Sequence, residues 1–213
     1  LTGANTGSGS LSLTAGGAVT DTETITAAGL AIASAGATLD AANNVTTLAA
    51  NMTGAGNAFT FTGEADGFTV STVDGINGIT TAATTVSGAE SGDITLSAAA
   101  GSITISQNLT TGSATVANAA GVTTAKSGDI SVTSVTGVTG AGRLITGNAT
   151  VDATTADAVD TATSGTITLN VTGSGDVGLS TVDALTIGSA TGPTMPRRAV
   201  PWTCPSVRRR AAR

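Results

Sequence analysis

Ser91-Gly92-Asp93-Ile94-Thr95-Leu96-Ser97-Ala98-Ala99-Ala100-Gly101-Ser102-Ile103-Thr104-Ile105-Ser106 alternates aliphatic and hydroxyl side chains in two runs separated by small residues. A period of two places Ile94, Leu96, Ile103 and Ile105 on one face of an extended chain and Thr95, Ser97, Thr104 and Ser106 on the other. The β-branched residues suit a pleated, half-buried strand and lose side-chain freedom on a helix, and each interior Gly costs a helix about 1 kcal/mol relative to Ala. Two short strands joined by a tight turn is the reading that fits.

Echoes of this stretch recur along the chain. The Ser-Gly step followed by β-formers begins at Ser8, Ser91, Ser127, Ser164 and Ser174, and the first four copies start 83, 36 and 37 residues apart. A second echo pairs Ser71-Thr72-Val73-Asp74-Gly75 with Ser180-Thr181-Val182-Asp183-Ala184. Between the runs lie clusters such as Thr53-Gly54-Ala55-Gly56-Asn57 and Asp74-Gly75-Ile76-Asn77-Gly78, residues that tolerate left-handed backbone angles. One short strand cannot bury its aliphatic face alone, so the units are expected to stack as coils. A coil of about 20 residues would give roughly nine coils, and at about 4.8 Å per step a rod of around 45 Å.

Composition agrees with thin, closely spaced layers. Aromatic residues are 2% and charged residues 10%, and the 40% hydrophobic share comes mainly from Ala, Val, Ile and Leu. A sandwich core would want larger side chains, so a parallel β-helix is expected. The mean hydropathy of +0.29 and the low charge argue against disorder for the body. No apolar run is long enough for a membrane-spanning helix. The first residues, Leu1-Thr2-Gly3-Ala4-Asn5, lack the basic start and apolar block of a signal peptide, so the chain reads as an internal piece of a longer protein.

Composition changes near residue 192. All four prolines, Trp202, Cys204 and six of the eight basic residues lie in 193–213. Residues 1–192 hold Lys126 and Arg143 against all 14 acidic residues, a formal charge of −12. Two domains follow: a strand-repeat solenoid over 1–192 and a disordered Pro/Arg-rich tail over 193–213. The abrupt change suggests that translation leaves the repeat's reading frame near Gly192. Arg208-Arg209-Arg210 could neutralise phosphates, but the acidic body would repel nucleic acid, and none is expected as a partner.

The chemistry available is limited. With no His, and with Cys204 confined to the tail, Ser–His–Asp and Cys–His mechanisms are excluded, as are disulfides and thiolate metal sites in the body. Glu64 with Asp66, or Asp157 with Asp160, could supply the two acids of glycoside hydrolysis, but no aromatic platform for sugar rings accompanies them. Solvated corner acids are the expected role, and the chain is not expected to be an enzyme.

Gly173-Ser174-Gly175-Asp176-Val177-Gly178 is a single imperfect copy of a calcium-binding nonapeptide turn, and Asp93, Asp129 and Asp176 share only a Ser-Gly-Asp context. Turn hydrogen bonding is the expected role of these acids, with no metal and no cofactor. Five Asn-X-Thr sequons, at Asn44, Asn51, Asn108, Asn148 and Asn170, are close to what chance gives in a chain this rich in Ser and Thr. Thr-X-Thr steps at Thr22 to Thr26, Thr60 to Thr62 and Thr166 to Thr168 suggest an ice-binding hydroxyl array, against which their irregular spacing counts.

The stretches from Ser91 to Ser106 and from Ala41 to Gly63 resemble the passenger repeats of filamentous-haemagglutinin-like large exoproteins, the two-partner secreted and autotransported adhesins of Gram-negative bacteria. The resemblance covers about residues 1–192 and lies in repeat style. It implies a right-handed parallel β-helix exported to the bacterial cell surface. There it would act in adhesion or as a spacer shaft, with host cells, matrix, glycans or neighbouring bacteria as partners. It carries over no functional residue. A β-helical glycan-active enzyme and an ice-binding protein are the alternatives.

Overall fold

The structure is a computed structural model that describes residues 1–64, 66–117, 123–152, 160–180 and 185–192. The described residues form an all-β parallel β-helix and contain no helix. Right-handed winding is the sense that strand twist imposes on parallel crossovers. The tail 193–213, expected to be disordered, lies outside the described residues.

The alternation read in the sequence sets the walls. Ile94, Leu96, Ile103 and Ile105 are fully buried, while Thr95, Ser97 and Thr104 on the other side are half-buried. In the first sheet, strands Phe59–Gly63, Ile94–Ala98, Ile130–Ser134 and Ile167–Val171 stack with Phe59, Ile94, Ile130 and Ile167 as successive partners. The second sheet stacks Gly67–Val70, Ser102–Ile105, Gly137–Gly140 and Asp176–Leu179. The third stacks Ile79–Thr80, Leu109–Thr110, Leu144–Ile145 and Leu185–Thr186. Their inward side chains make one apolar core, in which Phe61 and Phe68 meet edge to face, 4.9 Å between centroids.

Coil length differs from the uniform 20 residues expected. In the N-terminal coils Leu11, Leu30, Leu48 and Val70 are successive partners, 19, 18 and 22 residues apart. From Phe59 onward the first-sheet partners are 35, 36 and 37 apart. The reason is the return from the third sheet to the first. Residues 52–58 make it directly through a turn at Gly56, which has a φ of 75°, whereas residues 81–93 and the described parts of 111–129 and 146–166 swing out into a lobe. The lobe has its own two short sheets, Ala114–Ala117 with Ala149–Asp152 and Ala190–Thr191, and Thr124–Lys126 with Thr161–Thr163. Ala114, Val116, Ala125, Ala149 and Val151 form a separate small core there. Seven strands stack in the second sheet when the N-terminal coils are included, so the described stack spans about 29 Å instead of the expected 45 Å.

One hairpin departs from the parallel pattern. Thr72–Val73 and Ile76–Asn77 pair antiparallel around Asp74-Gly75, whose φ values of 47° and 79° are the left-handed pair such a two-residue turn requires. Its Val73 and Ile76 pack on Ala31 and Ala49 of the N-terminal coils.

Candidate functional site

Two polar constellations stand out, and both are built by the Ser-Gly step. At the base of the lobe, Ser91-Gly92, Ser127-Gly128 and Ser164-Gly165 on one wall face Thr81, Thr111-Gly112 and Thr146-Gly147 on the other. The walls meet through buried hydroxyls: Thr81, Thr111 and Thr146 donate from Oγ1 to the carbonyls of Gly92, Gly128 and Gly165, at 2.6, 2.9 and 3.4 Å. Each hydroxyl also serves the next coil. Thr81 Oγ1 accepts from the Gly112 amide, Thr111 Oγ1 from Gly147 and Thr146 Oγ1 from Gly188, at 3.1, 3.1 and 2.9 Å. On the facing wall Ser91 Oγ accepts from Gly128 N–H and Ser127 Oγ from Gly165 N–H, at 2.6 and 2.7 Å.

The glycines of this neck are required by close approach. A Cβ on Gly128 would sit 2.3 Å from the Gly92 carbonyl oxygen, and one on Gly165 would sit 2.0 Å from that of Gly128. The neck separates two cores and satisfies its own buried polar groups, a structural assignment that the sequence reading had not made.

Beside it lies an acidic corner. Glu90, Asp93 and Asp129 bring carboxylate oxygens within 4.8 Å of one another. Lys126 Nζ lies 2.5 Å from Glu90 Oε1 and 3.4 Å from Asp129 Oδ2. Its pKa is raised, mainly by the hydrogen bond to Glu90, with burial opposing and Asp129 adding to the rise. Burial pushes the Asp129 carboxyl up, but hydrogen bonds from the Thr166 amide and hydroxyl, with the Lys126 charge, outweigh it and hold the pKa below its ordinary value.

Asp93 Oδ1 accepts the Asp129 amide at 2.7 Å, and Asp129 Oδ1 accepts the Thr166 amide at 2.6 Å. Asp93 and Asp129 therefore each cap the coil above, and the Lys126 ammonium offsets part of the corner's negative charge. Asp176 is not part of this column. It pairs with Gly137 in the second sheet, so the copies from Ser91, Ser127 and Ser164 align while the copy from Ser174 belongs to a different wall.

Glu90 and Lys126 escaped the sequence reading, yet the signal was there. Ala-Glu-Ser-Gly-Asp from Ala89 and Ala-Lys-Ser-Gly-Asp from Ala125 put opposite charges at equivalent positions one coil apart.

The carboxylates considered for glycoside hydrolysis do not make a comparable site. Asp66 is exposed at a shallow cleft of about 190 Å³ with Asn44, Thr46, Thr69, Ser102 and Thr104. Glu64 is half-buried, and its amide donates to the Asn43 carbonyl at 2.8 Å. Phe68, at the cleft floor, is 4% exposed and packs into the core, so it offers no platform to a sugar. Asp157 lies outside the described residues, and Asp160 Oδ1 accepts the Thr123 amide at 2.8 Å. Among the five sequon asparagines, Asn108 and Asn148 cap the coil above, accepting the Arg143 and Ser189 amides at 3.0 and 2.8 Å.

Compared with known proteins, the chain matches no family model, no curated protein and no solved structure.

Proposed function

We propose that this chain is a non-catalytic segment of a secreted bacterial surface adhesin, serving as part of its shaft or as an adhesive stretch of it. The observation that supports the reading is the continuous axial ladder. Seven parallel strands stack in one sheet among the described residues, with aliphatic side chains directed into the core. Such a stack transmits length along one axis with coils that differ in sequence, as a projecting shaft needs. Repeat style from Ser91 to Ser106 supports the filamentous-haemagglutinin-like assignment, and with it export by two-partner secretion or autotransport.

Antibodies raised against the chain should label intact source cells before permeabilisation. Labelling that requires permeabilisation refutes the surface role. Adhesive segment and spacer are then separated by applying the labelled chain to host cells, matrix proteins and immobilised glycans. Saturable binding identifies an adhesive segment, and its absence a spacer.

A further inference from the structure

The outward side of the first sheet carries two rows of polar side chains in unbroken register. Thr60, Thr95, Ser131 and Thr168 form one row, and Thr62, Ser97, Thr133 and Asn170 the other. The first row continues toward the N-terminus through Thr38 and Thr20. Neighbours recur about every 4.8 Å along the axis and, two residues apart, about every 6.7 Å along the strand. The Thr-X-Thr steps that look irregular in sequence thus include one, at Thr60, that belongs to a two-dimensional lattice, because coil length sets which residues stack. The step at Thr166 contributes Thr168 alone, and the step at Thr22 lies off this lattice.

Three further observations single out this surface. None of the eight side chains hydrogen-bonds to the protein among the described residues, so all are available to water. By contrast, Thr80 of the third sheet is engaged with Asn51. The four strands contain no charged residue in a chain with 14 acids. Register shifts occur in the N-terminal coils, at Asn5 to Ser10 and at Leu39 to Asn43, but not among these four strands. The second sheet breaks its threonine row at Gly178 beside Asp176.

We propose that this face binds ice. Water held by the hydroxyl rows repeats close to the spacing at which water oxygens recur along one axis of hexagonal ice. Ordered water on the face can therefore join the growing lattice. Threonine's β-branch restricts χ1, which holds the hydroxyls at the five threonines of the eight positions in a narrow range of directions. Charged side chains would hold hydration shells that fit no lattice, and the four strands have none, Asp93 and Asp129 standing at the edge of the face just before two of them. A protein partner fits less well, because the face lacks the aromatic and Arg anchors that dominate protein interfaces. The inference is independent of the shaft role.

The full chain, fluorescently labelled, is grown against a polycrystalline ice hemisphere beside labelled albumin, and recrystallisation of frozen sucrose is followed with the unlabelled chain. Incorporation into ice with slowed recrystallisation is expected, and exclusion from ice overturns the proposal whatever the variants do. The double variant Thr95→Lys with Thr133→Lys should lower activity by about tenfold or more, while Thr104→Lys with Thr139→Lys on the second sheet keeps it, both with unchanged far-UV circular dichroism. Equal loss in the two, or retention in the first, overturns the assignment to this face.

Discussion

Replacing Thr111 by Val changes almost no volume and tests the neck directly. Thr111 is 2% exposed, and its hydroxyl donates to the Gly128 carbonyl at 2.9 Å and accepts from the Gly147 amide at 3.1 Å. Valine leaves both backbone groups without that partner in a site closed to water. An orphaned buried polar group costs about 1–3 kcal/mol, and the methyl that replaces the hydroxyl offsets about 1 kcal/mol. With two groups orphaned, the expected loss is therefore about 1–5 kcal/mol.

The matched control is Thr95→Val, the same chemical change on the outer side of the first sheet, where about 0.5 kcal/mol or less is expected. No tryptophan lies within residues 1–192, so far-UV circular dichroism in a urea titration is the assay. With a slope of roughly 1–3 kcal/mol per molar, the Thr111 variant should unfold about 1 M or more earlier in urea than the control. Equal midpoints for the two variants would show that the neck hydroxyls contribute no more than surface ones and would refute the reasoning.

Other perturbations probe neighbouring features. Gly128→Ala places a methyl 2.3 Å from the Gly92 carbonyl oxygen, a backbone atom unable to swing aside, and should cost about 1–3 kcal/mol or more in the same titration. Leu96→Ala empties a fully buried position between Phe61 and Val132 and should cost about 2–5 kcal/mol. The depressed Asp129 pKa gives stability that is present above the unfolded carboxyl value of about 3.9 and lost as pH falls through the folded one, while the raised Lys126 pKa gives stability lost at alkaline pH. Asp129→Asn, whose side-chain oxygen can still accept the Thr166 amide, should flatten the acid limb of melting temperature against pH by less than about 1 kcal/mol, since the corner is partly exposed. An acid limb as steep as in the parent chain would contradict that role.

Much of the fold was legible because alternation has one cause. Ile94 and Leu96 point inward for the same reason that Thr95 points outward, and a two-residue period needs no tertiary knowledge. Asp74-Gly75 likewise announced its turn by residue type. Coil length was harder. The spacings of 36 and 37 between the copies at Ser91, Ser127 and Ser164 are the length of the wide coils, but the copies at Ser8 and Ser174 sit on the second sheet and disguise the period. A second repeat went unread: Leu109-Thr110-Thr111-Gly112-Ser113-Ala114-Thr115-Val116 against Leu144-Ile145-Thr146-Gly147-Asn148-Ala149-Thr150-Val151. It marks the other wall of the neck, and its meaning depends on a contact between segments about 17 residues apart, which periodicity alone does not show. The acidic corner was missed for the same reason, since Glu90 and Lys126 become neighbours only once the coil length is known.

The neck also determines how such a chain can diverge. Each lobe is tied at its base by side chains that close one coil and accept a hydrogen bond from a backbone amide of the next, so the lobe behaves as a loop whose ends are fixed. Lengthening a tied loop is cheap, about 0.6 kcal/mol per doubling, and the lobe grows from residues 81–93 to 146–166 over two coils without displacing the first-sheet register. Insertions and deletions can therefore accumulate in every coil while a handful of Ser, Thr and Gly positions keep the stack in step. A lineage built this way retains its architecture long after its sequences have ceased to align.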